Sequence, residues 1–279
     1  MIESKIVALP GGPARISGRD NDGYFQNAEV HAQEMFALAS LAHDHAGPGL
    51  ILDIGGNIGL SAIALGRAMP NRRVMVFEPS ADSAHLLRGN LAENGVTNAE
   101  VVEAAVSDRA GSLHLNETDT SGFSHILTER HVGGASGRVS EVRVVRLDDL
   151  VTEQVGFAKI DVEGHEAHVL AGMRGLLARD RPLVHIEFNP WCLIGFSGVN
   201  VAALATCLFR HHEIFVPDPD GGLAPIGTNA IGLIYRALVE RNIPDIVLKP
   251  KPDITMPDME EMTIPSAILD ELRALRARA

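Results

Sequence analysis

The run LILDIGGNIG at residues 50–59 decides how this chain folds. Apolar residues lead into Asp53, and the chain then turns through Gly55, Gly56 and Gly59. Directly after it, LSAIALGRAM (60–69) spaces its apolar positions as a helix does. A buried strand, a glycine turn and a helix make the first half of a βαβ unit.

Further short apolar runs lie outward of this one: RVMVFEP (73–79), AEVVEAAV (99–106), FAKIDVEG (157–164) and LVHIEF (183–188). They are rich in Val, Ile and Phe and bounded by Gly, Pro, Asn or Asp, as buried parallel strands are. SADSAHLLRGNLAENG (80–95) reads as a helix, with Ser80 or Asp82 as its cap and Gly95 as its stop. The alternation predicts a mostly parallel α/β sheet with right-handed crossovers. NAEVHAQEMFALASLAHDHAG (27–47) predicts one helix ending near Gly47-Pro48.

Residues 112–147 break the pattern. SLHLNE and EVRVVRL read as two strands around a polar stretch carrying Gly122, Gly133, Gly134 and Gly137. This is expected to be an insertion at the sheet edge, with about 117–139 as a lid over the substrate. Beyond the fifth strand, VAALATCLFRHH (201–212) reads as a helix, EIFVPDPDGGLAPI (213–226) as a strand and turn, and NAIGLIYRAL (229–238) as a strand. The expected organisation is an N-terminal helical cap (1–49), a Rossmann-like domain (50–243), and a Pro-rich tail with a short amphipathic helix (244–279). The cap and tail are the expected seat of substrate choice and of any oligomer contact.

At 279 residues, with 46% hydrophobic and 22% charged, the chain is globular rather than disordered. A net charge of −12 argues against a nucleic-acid or anionic-membrane binder. No stretch approaches the roughly 18 apolar residues of a membrane span, and the first residues carry no leader pattern. Cys192 and Cys207 match no zinc spacing and read as buried thiols, so a cytoplasmic location is expected.

The glycine turn poses a choice of ligand. A dinucleotide loop needs G-x-G-x-x-G, and its first glycine would fall on Ile54. The acid at Asp53 would repel a pyrophosphate but suits the ammonium of S-adenosylmethionine, directly or through water. Glu78, ending the second strand before Pro79, can accept from both ribose hydroxyls. Asp53, Gly55, Gly59 and Glu78 on successive strand ends therefore point to a methyl donor. The third strand ends near Ala105, where backbone groups would have to hold the adenine, and Asp108 reads as a turn residue. On the fourth strand Lys159, Asp161 and Glu163 alternate, so they share a face if the strand continues. Asp161 lies where the methyl group should arrive, while a plainer reading pairs Lys159 with Asp161 or Glu163 in a structural ion pair. His165 and His168 are three apart rather than the four of a metalloprotease helix, leaving His165 as a candidate base. Glu187 should face the same crevice from the fifth strand. Asn189-Pro190-Trp191 reads as a turn, with Trp191 covering the pocket or packed in the core.

These motifs resemble the FkbM family of S-adenosylmethionine-dependent methyltransferases. The likeness rests on ILDIGGNIGLSA (51–62), VFEPS (76–80), AAVSD (104–108), VVRLDDL (144–150), KIDVEGHEAHVLAG (159–172) and HIEF (185–188). NAIGLI (229–234) fits the family's last strand. The resemblance implies a class I methyltransferase fold: a mostly parallel seven-stranded sheet, its last strand antiparallel, with helices on both faces. It implies methyl transfer, commonly to a hydroxyl of a natural product, sugar or glycolipid. Asp53, Gly55, Asn57, Gly59 and Glu78 would hold the cofactor, and Asp161 and Glu187 would face the methyl. Gly56 replaces a more usual Ala, which should be harmless.

The expected reaction needs a base to take the hydroxyl proton, with Asp161, His165 and Glu187 as candidates. Asp161 and Glu187, with Asn189, also make a possible Mg²⁺ set, though turnover is expected to be metal-independent. Two rivals are an NAD-dependent oxidoreductase and a non-catalytic interaction module. The missing glycine and Asp53 oppose the first, and the retained acids Asp53, Glu78, Asp161 and Glu187 oppose the second.

Overall fold

The computed structural model describes residues 1–131, 135, 137–218, 222–227, 229–240, 245–254, 259 and 261–276. Gly133 and Gly134 of the expected lid lie outside the described residues. The strands are β1 (Ile2–Leu9), β2 (Gly12–Arg19), β3 (Leu50–Ile54), β4 (Val74–Phe77), β5 (Ala99–Val102), β6 (Ala105–Val106), β7 (Gly111–Glu117), β8 (His125–Leu127), β9 (Arg138–Val145), β10 (Val155–Ile160), β11 (Leu183–Glu187), β12 (His212–Pro217), β13 (Leu223–Pro225) and β14 (Asp245–Pro250). The helices are α1 (Gly23–Gln26), α2 (Ala28–His45), α3 (Leu60–Ala68), α4 (Ala81–Glu93), α5 (Leu147–Leu150), α6 (Glu166–Gly172), α7 (Arg174–Asp180), α8 (Pro190–Ser197), α9 (Val201–His211), α10 (Ala230–Tyr235) and α11 (Ser266–Arg276).

The central sheet runs β13-β12-β14-β11-β10-β3-β4-β5. Strands β5, β4, β3, β10 and β11 are parallel, as their unbroken apolar runs require, and β14 is antiparallel to both β11 and β12. Leu50, Leu52, Ile54, Ala158 and Ile160 face a core shared with α6, α7 and α9. The alternate residues Ile51, Val76 and Phe157 face a core shared with α2, α3 and α4. The helices thus cover both faces. Ser80 caps α4 by accepting from Ser83 N at 3.4 Å, and Gly95, at φ +66°, follows its end.

Four features depart from the sequence reading. Among the described residues the sheet has eight strands rather than seven, because β13 folds back on β12. The segment read as the last strand, NAIGLI, is helix α10, which runs on into a π-helical turn at Arg236–Glu240; Leu233 and Ala237, four residues apart, are both buried. The true last strand is β14, whose Ile246, Val247 and Leu248 are wholly buried. Residues assigned to a tail from 244 onward therefore include a central strand of the domain.

The region before residue 20 is not part of a helical cap but an antiparallel hairpin, β1 paired with β2 through Pro10 and Gly11. Gly11 takes φ +80°, which suits the third position of a type II turn. The free edge of β2 is completed by two side chains of α4. Asn90 accepts from Ser17 N at 2.8 Å and donates to Ser17 O at 3.0 Å. Asn94 does the same for Arg15, at 3.0 and 2.7 Å. The two carboxamides imitate a neighbouring strand, which satisfies backbone groups that the edge would otherwise expose.

The insertion forms a second sheet in the order β6-β9-β7-β8, rooted on the end of the third parallel strand. Among the described residues no helix is long and apolar enough to cross a membrane.

Candidate active site

The glycine turn after β3 is tight because its neighbours leave no room. Gly55 takes φ +88°, and a Cβ there would overlap the carbonyl oxygen of Asp161. Gly59 takes φ +103°, and a Cβ would press on Leu87. Gly56 has ordinary φ, and a Cβ there would overlap Val76 Cγ1, so the packing here is built around the glycine. Asn57, at φ +45°, completes the turn in a conformation that asparagine tolerates.

The turn closes on Glu78. Asn57 N donates to Glu78 Oε2 and Ser80 N to Oε1, both at 2.9 Å. Only 7% exposed, Glu78 has its pKa pushed up to about 7 by burial, against the pull of the two amides. The Asn57 side-chain oxygen is buried without a partner.

A cavity of about 500 Å³ opens over the carboxyl ends of β3, β4, β10 and β11, within the usual size range for small-molecule sites. Gly55, Asn57, Glu78, Pro79 and Ala105 line it, as do Asp161, His165 and Glu187. Asp53, Gly56 and Gly59 do not. Asp53 is wholly buried beneath the turn, accepts from Ser61 Oγ at 2.8 Å and lies 3.7 Å from Lys159 Nζ. Its carboxylate therefore holds the scaffold and does not face a ligand directly.

Lys159, read from sequence as half of a structural ion pair, is also part of the cavity wall. Its ammonium donates to Gly55 O at 2.8 Å and lies 3.2 Å from Asp161 Oδ2. Asp161, its side chain 45% exposed, faces the open space.

Oxygen atoms of Asp161, Glu163 and Glu187 lie within 4.8 Å of one another. Glu163 joins this group because the chain turns at φ +51° there, off the regular alternation of β10. Its carboxylate receives the Cys192 thiol at 3.7 Å. Burial raises the pKa of both Glu163 and Glu187 well above the carboxylate range, and the Asp161 charge raises them further. Asp245, opposite Glu187 in register, is pushed to about 7, chiefly by burial. Asn189 does not share this group as an oxygen ligand. Its Oδ1 caps α8, and its Nδ2 donates to Glu187 Oε1 at 3.4 Å. Among the described residues the three carboxylates are thus the group of acids close enough to share a cation, with Glu163 in the place foreseen for Asn189.

His165 stands apart from them. Its Nε2 lies 2.9 Å from Ser107 Oγ, which donates to Asp108 Oδ1, and its ring stacks on His168 at 4.1 Å. Burial holds its pKa well below that of a free imidazole. Asp108 is more than a turn residue, since His168 Nδ1 bonds it at 3.0 Å. Trp191 neither covers the cavity nor enters the core, being 64% exposed on α8.

The roof comes from outside the central strands. Tyr24 and His31 stack at 4.2 Å and line the cavity with Glu34, while the insertion contributes Phe123 and His125. One carboxylate joins the two pieces: Asp22 Oδ1 accepts from Tyr24 N at 2.9 Å and from Ser121 N at 2.8 Å. None of Tyr24, His31, Glu34 or Asp245 belongs to a motif, and only the fold brings them to the site.

Residues 53–205 match the family model described as the Methyltransferase FkbM domain. The 31-O-demethyl-FK506 methyltransferase FkbM of Streptomyces tacrolimicus is 31% identical over 154 residues, covering 44% of this chain and 59% of that protein. The 2-O-methyltransferase NoeI of Sinorhizobium fredii is 29% identical over 157 residues, covering 50% and 63%. The alignments thus span less than two thirds of either relative. Among solved structures, Methyltransferase FkbM from Methylobacillus flagellatus KT aligns with a TM-score of 0.46 at 15% identity, covering 83% of this chain and 55% of that one.

Proposed function

The chain belongs to the FkbM methyltransferase family, and from that premise we propose that it moves a methyl group from S-adenosylmethionine to a hydroxyl of a small molecule. The observation that carries this reading is Glu78. It is a buried carboxylate on the cavity wall, fixed by two backbone amides, with lone pairs left for a vicinal diol. The residues around it fit the same ligand. Gly55 and Asn57 give a close backbone approach, Pro79 and Ala105 an apolar strip for the adenine, and the acids beyond them a field that favours a cation. When bound, S-adenosylmethionine supplies an electrophilic methyl on a sulfonium.

The chain's own task is to align the acceptor and to take its proton. Asp161 is the residue we assign to proton removal, because its carboxylate is open to the cavity while Lys159 orients it. Glu187, which keeps its proton at neutral pH, donates a hydrogen bond to the acceptor. His165 is withdrawn from this role, since Ser107 occupies its Nε2. Burial and the Asp161 charge favour protons on Glu163 and Glu187, and turnover is expected to survive thorough chelation. Loss of turnover on chelation, restored by Mg²⁺ with cofactor affinity unchanged, would instead make Asp161, Glu163 and Glu187 metal ligands.

Glu78→Ala tests the central assignment. It removes both diol acceptors, so S-adenosylmethionine affinity should fall at least about tenfold. Calorimetry showing unchanged affinity would sink the reading.

A further inference from the structure

Among the described residues lining the cavity, Lys159 is the one lysine or arginine, set among Glu34, Glu78, Asp161, Glu163, Glu187 and Asp245. It is 5% exposed. Its ammonium donates to Gly55 O at 2.8 Å and is ion-paired with Asp161 Oδ2 at 3.2 Å and, more loosely, with Asp53 Oδ1 at 3.7 Å. These partners belong to the glycine turn, to the segment just after β10 and to β3 respectively. Its nearest contacts are thus to the protein's own turn and acids. Stability does not explain the group, because a buried ion pair gains little over a packed apolar side chain of the same volume.

We propose that Lys159 is a positioning residue, whose ammonium clamps the Gly55 carbonyl to the Asp161 carboxylate and offsets the charge Asp161 presents to a bound sulfonium. This rests on the reading of the cavity as a methyl-donor site. The clamp fixes the distance between the turn that holds the donor and the acid that faces its methyl. The charge matters because methyl transfer discharges the sulfonium. A bare carboxylate beside it would stabilise the charged ground state more than the transition state, which slows the reaction.

The test compares S-adenosylmethionine with S-adenosylhomocysteine, which lacks the sulfonium charge. Binding of each to the wild type, Lys159→Met and the double variant Lys159→Met with Asp53→Asn is measured by calorimetry. The second substitution removes the wholly buried one of the two carboxylate charges that the first leaves unpaired, so the double variant carries the comparison if the single one does not fold. Release of the turn should weaken S-adenosylhomocysteine by about tenfold, the scale of one charge-assisted hydrogen bond. S-adenosylmethionine should lose less, because the unmasked Asp161 attracts it, so the preference for the sulfonium should rise by roughly three- to tenfold. Equal weakening of the two ligands would reduce Lys159 to packing and overturn the proposal, as would unchanged affinity for both. A wild type that binds neither ligand would overturn the methyl-donor reading itself, an outcome visible before any variant is compared.

Discussion

Glu187 sits among other acids, and this sets how stability responds to pH. Its folded pKa is raised above the unfolded one by burial and by Asp161, so the folded state binds the extra proton. Stability from this group is full below the unfolded value, near pH 4.3, and is lost as pH rises above it. Glu78 and Asp245 act in the same direction, their windows closing at about 7. Glu187→Gln keeps the shape of the protonated acid and removes the ionisation. Its melting temperature should therefore fall less between pH 5 and 9 than the wild type's, by on the order of a few degrees. Parallel melting curves across that range would show that Glu187 is not the group responsible. Gly55→Ala is the harsher change at this scale. The residue needs positive φ, and the new Cβ would displace Asp161, so a loss of at least about 1–2 kcal/mol in denaturant titration is expected. Gly55, Glu78 and Asp161 were legible because each follows directly from a strand end. Alternation put Glu163 on the face of Asp161, but its place in the acid cluster was not legible, because the strand ends at Ile160 and a left-handed residue, not the strand, brings the carboxylate there. Asp53 was misplaced for a related reason: sequence marks a strand-end acid without showing whether it lies above the turn or beneath it.

Between elements, the two pieces of the cavity roof meet at Asp22, beside the bond from Gly23 N to Asp119 O at 3.3 Å. Asp22 caps α1 through the Tyr24 amide and binds the amide that opens the insertion's short helical turn, so the two pieces should open together. Asp22→Ala leaves both amides without their acceptor. Hydrogen exchange at Tyr24 and Ser121 should quicken together, and proteolysis within about 117–139 should come earlier, in proportion to an opening cost reduced by about 1–3 kcal/mol. Faster exchange at only one of the two amides would show that the roof is not one unit. The parallel strands and α3, α4 and α9 were legible from period alone. The β1–β2 hairpin had a visible signal in Pro10-Gly11, but its partner on the free edge is a pair of asparagines on α4, and no local pattern encodes that. Helix α10 and the π-helical turn after it were misread because Ile231, Tyr235 and Val239 leave their outer face apolar too, which hides the helical period of Leu233 and Ala237.

At the scale of the whole molecule, the end of the chain is structurally central. Strand β14 lies between β11 and β12 and supplies three wholly buried side chains, Ile246, Val247 and Leu248. It also carries Asp245 to the cavity opposite Glu187. A Pro-rich composition placed residues 244–279 outside the Rossmann-like domain, because composition reports local stiffness and not which gap in a sheet a late strand must fill. Two truncations separate the possibilities. A chain ending at residue 243 would leave the facing edges of β11 and β12 unpaired and open both faces of the core, so it should be recovered as aggregate. A chain ending at Pro265 would lose α11 but keep the contacts that fasten the late segment, Asn200 N to Met262 O at 2.6 Å and Ile264 N to Gly198 O at 2.7 Å. Helix α11 leaves Ile268 and Leu275 about half exposed or more, so its removal should shift the melting temperature by only a few degrees, the change expected for roughly 1–2 kcal/mol in a chain of this size. S-adenosylmethionine should bind that shorter chain as it binds the full one. Cooperative melting of the chain ending at 243 would contradict the place given to β14, and failure of the chain ending at Pro265 to fold would mean that α11 belongs to the core.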